Sequence, residues 1–148
     1  MDKKYFFMPA TVLVILLFAA TVRAHCEIPC GIYDDEARLQ LISEHIATIE
    51  KSVTMIMELQ KEKDINYNQL VRWIDNKEHH ANAIQEVASQ YFLTQRIKFD
   101  DAHYDKKLAA LHQIIVYAMK CKQTVDVKMV EKLREACRTF EHLYLGEK

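Results

Sequence analysis

Six aliphatic residues, Leu39, Ile42, Ile46, Ile49, Val53 and Ile56, recur at spacings of 3, 4, 3, 4 and 3. A helix turning once per 3.6 residues puts residues so spaced on one side. Such a stripe must be buried against other helices. The 148-residue chain holds only 2 Gly and 2 Pro to interrupt helices, against 50% hydrophobic and 28% charged residues. That mix excludes a disordered or Gly-rich chain. Three more stripes follow. Leu70, Trp73, Ile74, Ala81, Ile84, Val87, Ala88 and Tyr91 mark a second helix. Tyr104, Leu108, Leu111, Ile115 and Ala118 mark a third, and Val130, Leu133, Cys137, Phe140 and Tyr144 a fourth. Asp34 and Asp35 are expected to cap the first helix, and Asp100 and Asp101 the third. Gly146 sits where the fourth should stop. Polar stretches at 61–68 and 122–126 supply short links. Short links make consecutive helices antiparallel, so 34–148 is predicted to be an all-α, up-down-up-down four-helix bundle.

The first 24 residues do not belong to that pattern. Lys3 and Lys4 precede an apolar stretch from Tyr5 to Ala20, and Val22-Arg23-Ala24 follows. This is the order of a secretory signal peptide, with cleavage expected after Ala24. The stretch is shorter than the roughly 20 residues that span a bilayer, so no stable membrane anchor is expected after cleavage. The mature chain would begin at His25, be exported to a periplasmic or extracellular compartment, and keep all 4 Cys. Loss of Lys3, Lys4, Arg23 and Asp2 moves the formal charge from −1 to −3. Neither value offers the basic excess that nucleic-acid binding requires.

Between leader and bundle lies His25-Cys26-Glu27-Ile28-Pro29-Cys30-Gly31-Ile32-Tyr33. It has neither helical nor strand period, so packing does not account for it. Cleavage after Ala24 would free the α-amine of His25. That amine and the Cys26 amide nitrogen close a five-membered chelate ring, and the same nitrogen with the Cys26 sulfur closes another. The Cys30 sulfur can supply a fourth in-plane donor, and the His25 imidazole can reach an axial position. Mixed nitrogen and sulfur in a square plane suits Ni(II) or Cu(II), whereas zinc prefers a tetrahedron. Thiolate and deprotonated amide donate strongly, which lowers a reduction potential and favours Ni(III).

The pattern His25-Cys26-x-x-Pro29-Cys30-Gly31-x-Tyr33, followed by a helical remainder, resembles the nickel-dependent superoxide dismutases. The resemblance implies a 25–33 nickel hook with one ion per subunit. Its ligands would be the His25 amine and imidazole, the Cys26 amide and thiolate, and the Cys30 thiolate. It implies a cis peptide before Pro29, and Tyr33 placed over the open face to position substrate or water. It also implies a homohexamer, and superoxide as substrate. Glu27 stands where the family carries Asp. The family orients the axial imidazole with a glutamate and an arginine from the bundle, for which Glu36, Glu44, Arg38 and Arg72 are candidates.

Two other readings stand beside this one. The same hook would serve a secreted nickel or copper carrier, because Cu(II) outranks Ni(II) in general affinity. Alternatively Cys26 and Cys30 form a disulfide on a secreted helical interaction module. Cys121 and Cys137 are expected to be free. An antiparallel pair with its turn near residue 124 separates them by roughly 15 Å along the axis, against the about 7 Å that a disulfide allows. His79 and His80 point to different helix faces, and His45, His103, His112 and His142 show no obvious partners.

Overall fold

The computed structural model describes residues 31–146. The expected leader 1–24, and with it His25, Cys26, Pro29 and Cys30, lie outside the described residues. The described residues from Tyr33 onward form one compact unit.

Four α-helices follow one another: α1 (Asp35–Leu59), α2 (Tyr67–Glu86), α3 (Tyr104–Gln123) and α4 (Val127–Leu145). A π-helical stretch, Val87–Arg96, continues α2 without a break. No strand occurs among the described residues. Each helix packs on its neighbours in the cycle α1, α2, α3, α4 and back to α1. Asp35 at the start of α1 bonds Arg96 beyond the end of α2 and Tyr144 at the end of α4. Both neighbours therefore run opposite to α1, as an up-down-up-down bundle requires.

The core follows the stripes. All six residues of the α1 stripe are buried, joined by Leu59 and Ser52. Opposite them lie Ala81, Ile84, Leu111, Ile114, Val130, Leu133 and Phe140, each at most 1% exposed. Burying one such aliphatic side chain is worth about 1.5–3 kcal/mol. Phe92 stacks edge-on against Phe140 and Tyr144, with centroids 5.0 and 5.4 Å apart.

Four expectations need correction. Asp34 alone caps α1, its carboxylate accepting from Ala37 N at 3.0 Å, while Asp35 is already the first helical residue. The residue before α3 is His103, in the left-handed region at φ 58°, with no side-chain cap. The Asp101 carboxylate instead accepts from Lys98 N and Lys107 Nζ. In α3 the buried face runs through Lys107, Ala110, Leu111, Ile114, Ala118 and Cys121. Leu108 and Ile115 are only partly covered, so the stripe is rotated from the expected one. Ile74 of α2 is 40% exposed rather than in the core.

α4 starts at its cap Asp126, which accepts from Lys128 N, and stops at Gly146 at φ 81°. Cys121 and Cys137 are both buried and free.

Candidate functional site

The chain enters the bundle through Gly31, Ile32 and Tyr33. Gly31 sits at φ 76°, where a Cβ is disfavoured. Asp34 then ends the irregular backbone by capping α1. Because that cap needs one carboxylate only, the next one is free for other work.

Asp35 is a hub. Its Oδ1 accepts from Arg96 Nε at 2.9 Å and Tyr91 OH at 2.6 Å. Its Oδ2 accepts from Arg96 Nη2 at 2.7 Å and Tyr144 OH at 2.8 Å. Each oxygen thus takes one N–H and one O–H, which fills the capacity of a carboxylate. Burial alone would push the Asp35 pKa up. Hydrogen bonds from Arg96, Tyr91 and Tyr144, with the Arg96 charge, outweigh it and hold the carboxyl below its ordinary value. Burial and then the Asp35 hydrogen bond push both phenols, Tyr91 and Tyr144, up to about 12. At neutral pH both are fixed donors. Arg96 is held more firmly protonated by its bond to Asp35.

Tyr33 lies against this hub. The Arg96 guanidinium carbon stands 4.3 Å from the Tyr33 ring centroid. Tyr91 meets the same ring edge-on at 5.9 Å and 75°. The Tyr33 hydroxyl donates to Gln95 Oε1 at 3.4 Å. The Gln95 amide nitrogen is itself committed to the Gln90 carbonyl at 2.9 Å, which turns its oxygen toward Tyr33. Tyr33 remains 39% exposed.

Tyr91, Gln95 and Arg96 all come from the π-helical stretch. Thr94 and Gln95 side chains reach carbonyls five residues back, Ser89 and Gln90, and Ile97 N closes on Phe92 O. Widened turns of this kind recur at functional sites because they redirect side chains that a regular helix would place elsewhere. Sequence reasoning missed Asp35, Gln95 and Arg96 as functional residues. Tyr91 is placed by its stripe, but no helical period announces the turn that brings Gln95 and Arg96 beside it.

The candidates for orienting an axial imidazole separate. Arg38 lies over the Tyr91 ring at 5.2 Å. It lines a shallow groove on α1 with Asp34, Gln40 and Glu44. Arg72 lines a different groove with Thr48, Lys51, Gln69, Trp73 and Asn76. Glu36 is exposed at the start of α1. Arg38 and Glu44 are thus brought together, and Arg72 is not brought to them.

His45 does have a partner. Its Nδ1 lies 2.7 Å from Nδ1 of His80 across the α1–α2 seam. One ring must donate and the other accept, so the pair carries at most one proton between them without repulsion. Burial lowers both pKa values, and neighbouring imidazoles lower them further. Among the described residues no group of three or more His, Cys, Asp or Glu side chains is arranged to hold a metal.

The described residues thus form a four-helix bundle with a braced, partly exposed Tyr33 at its leading end. Residues 20–148 match the family model for nickel-containing superoxide dismutase, and the chain belongs to that family. It is an oxidoreductase that uses nickel and acts on superoxide. Neither a curated protein nor a solved structure matches it. Nothing among the described residues favours a carrier.

Proposed function

We propose that dismutation runs at the 25–33 stretch after removal of residues 1–24 at Ala24, in an exported protein. In this reading His25 provides amine and imidazole, Cys26 its amide and thiolate, and Cys30 its thiolate to one nickel ion per subunit. The observation that carries the reading is the family match, which spans all of these residues. The donor set fits: strong thiolate and amide donors are those that bring nickel into redox range. Nickel, when bound, supplies a one-electron couple between its +2 and +3 states. Two superoxide ions and two protons give oxygen and hydrogen peroxide, so the chain must admit a small anion and deliver protons.

Tyr33 is assigned the task of positioning substrate or water through its hydroxyl. Support comes from the way it is held, by Gln95, Arg96 and Tyr91, while partly exposed. Tyr91 and Tyr144, with phenols raised to about 12 and committed to Asp35, are scaffold rather than proton sources. Subunit assembly, a homohexamer by the resemblance, has support in an uncovered stripe on α2. Tyr67, Val71 and Ile74 are 69%, 62% and 40% exposed at helical spacing. Among the described residues no helix is long and apolar enough to cross a membrane.

The test is the intact mass of the exported protein together with its nickel content. A chain starting at His25 with one nickel per subunit is expected. Cys26→Ser with Cys30→Ser should abolish both nickel retention and dismutation. A native chain with a blocked or shifted N-terminus, or full turnover in the double variant, would overturn the ligand assignment.

A further inference from the structure

We propose that Arg96, aimed by Asp35, is a positioning residue for Tyr33: its guanidinium face is the platform on which the substrate-positioning tyrosine rests. The inference builds on the role given to Tyr33 above.

Three features carry it. First, the guanidinium plane is not free to turn. Two parallel N–H···O bonds to the two oxygens of Asp35, at 2.9 and 2.7 Å, set its orientation. Bidentate pairing of this kind fixes geometry as well as charge. Second, the carboxylate cannot swing away, because Tyr91 and Tyr144 hold its other lone pairs at 2.6 and 2.8 Å. The chain is thus α4, Asp35, Arg96, Tyr33, with each link locked by the one before. Third, the locked face is covered by the Tyr33 ring at 4.3 Å, closer than any other cation lies to an aromatic ring among the described residues. A guanidinium whose edge is engaged in hydrogen bonds still offers its face for stacking.

The partners also divide the labour on Tyr33. Gln95 sets where the hydroxyl points, and Arg96 sets the plane of the ring. Tyr91 limits its tilt from the side. A ring that carries a substrate-positioning hydroxyl needs all three constraints, because a small displacement at such a group is costly to rate. Tyr33 is the third residue after Cys30 in the chain, and its immediate neighbour Asp34 is tied down as the α1 cap. The backbone is therefore held on its C-terminal side, and the side-chain platform adds a restraint on the ring itself.

Arg96→Lys tests this. Lysine keeps the charge near Asp35 but loses the rigid fork and the flat face. In nickel-free protein labelled at the tyrosine ring carbons, the Tyr33 resonance, identified by its loss in Tyr33→Phe, should shift and broaden in Arg96→Lys. In nickel-loaded protein Arg96→Lys should keep full nickel content and lose about fivefold in kcat/KM. In a Tyr33→Phe background the same substitution should cost nothing further, because the hydroxyl it serves is gone. An unchanged Tyr33 resonance, or an equal loss in both backgrounds, overturns the proposal and leaves Arg96 as a staple between helices. Unimpaired turnover in Tyr33→Phe alone overturns the role of Tyr33 itself. The ring resonance would then still tell whether Arg96 orders the tyrosine, so the two failures can be told apart.

Discussion

Asp35 and Lys77 are both charged residues drawn into the bundle, and they are satisfied in opposite ways. Asp35 collects side chains, two phenols and a guanidinium, from the end of α4 and the π-helical stretch. Lys77, 3% exposed, donates to backbone: the carbonyls of Cys121 and Lys122 at 2.6 and 2.5 Å, in the last turn of α3. Glu78 takes its remaining charge at 3.2 Å. Those carbonyls are among the four that a helix C-terminus leaves unpaired, so Lys77 acts as a cap delivered from a neighbouring helix. The difference teaches which end can be specialised. Side-chain partners can be tuned to hold a fifth group such as Tyr33, whereas backbone carbonyls would be present whatever the α3 sequence.

The largest effect is expected at the side-chain hub. Asp35→Asn leaves Arg96 without its counter-charge and turns two acceptors into one, and should lower stability by about 3 kcal/mol. Urea unfolding at pH 7 measures it. The sign with pH follows from the lowered carboxyl. The folded chain releases the Asp35 proton more readily than the unfolded chain. Its stabilisation is therefore complete above the ordinary carboxylate value of 3.8 and is lost as pH falls below that toward the folded value. Asp35→Asn should flatten that acid limb. An equal acid slope in both proteins would place the sensitivity elsewhere.

Lys77→Met should cost less, about 2 kcal/mol. Methionine keeps the apolar stem in place, and water can approach freed carbonyls at a helix end. Should Lys77→Met prove worse than Asp35→Asn, the distinction between the two ends fails.

How much of this is written in the sequence depends on the range of the interaction concerned. The α1 stripe is legible because its partners are set by helical period alone, and all six members are buried. The donors of the 25–33 stretch are legible because they are contiguous. Arg96 and Asp35 are 61 residues apart, and the turns that join them are π-helical. A period of 3.6 gives no notice of such turns. Asp34 and Asp35 show the same limit: two equal caps by residue type, but only one backbone donor set to serve. His45 and His80 meet across a seam whose register no single helix reveals.

That seam gives a smaller pH effect than the Asp35 hub. With both imidazoles lowered from 6.5, the unfolded chain binds protons more tightly than the folded one. Stability contributed by the neutral pair is present above 6.5 and declines as pH falls below it toward the folded values. His80→Gln should reduce the decline of Tm below that pH. A slope untouched by His80→Gln would show that the pair takes up its proton without penalty.

The smallest expected effect is also the most local. Burial pushes the Cys121 thiol up to about 11 and the Cys137 thiol up to about 12. Neither should react with a disulfide reagent while the bundle is closed, and no Cys121–Cys137 link should appear in a non-reducing peptide map. Labelling then reports opening, and opening differs along the molecule. Cys121 lends its carbonyl to Lys77, so Lys77→Met should let the last turn of α3 open and speed Cys121 labelling severalfold over Cys137. Asp35→Asn acts where α4 ends, beyond Cys137, and should not favour Cys121. Equal acceleration of both thiols by Lys77→Met would mean the bundle opens as one unit, and the two charged clusters would then differ in chemistry but not in what they hold closed.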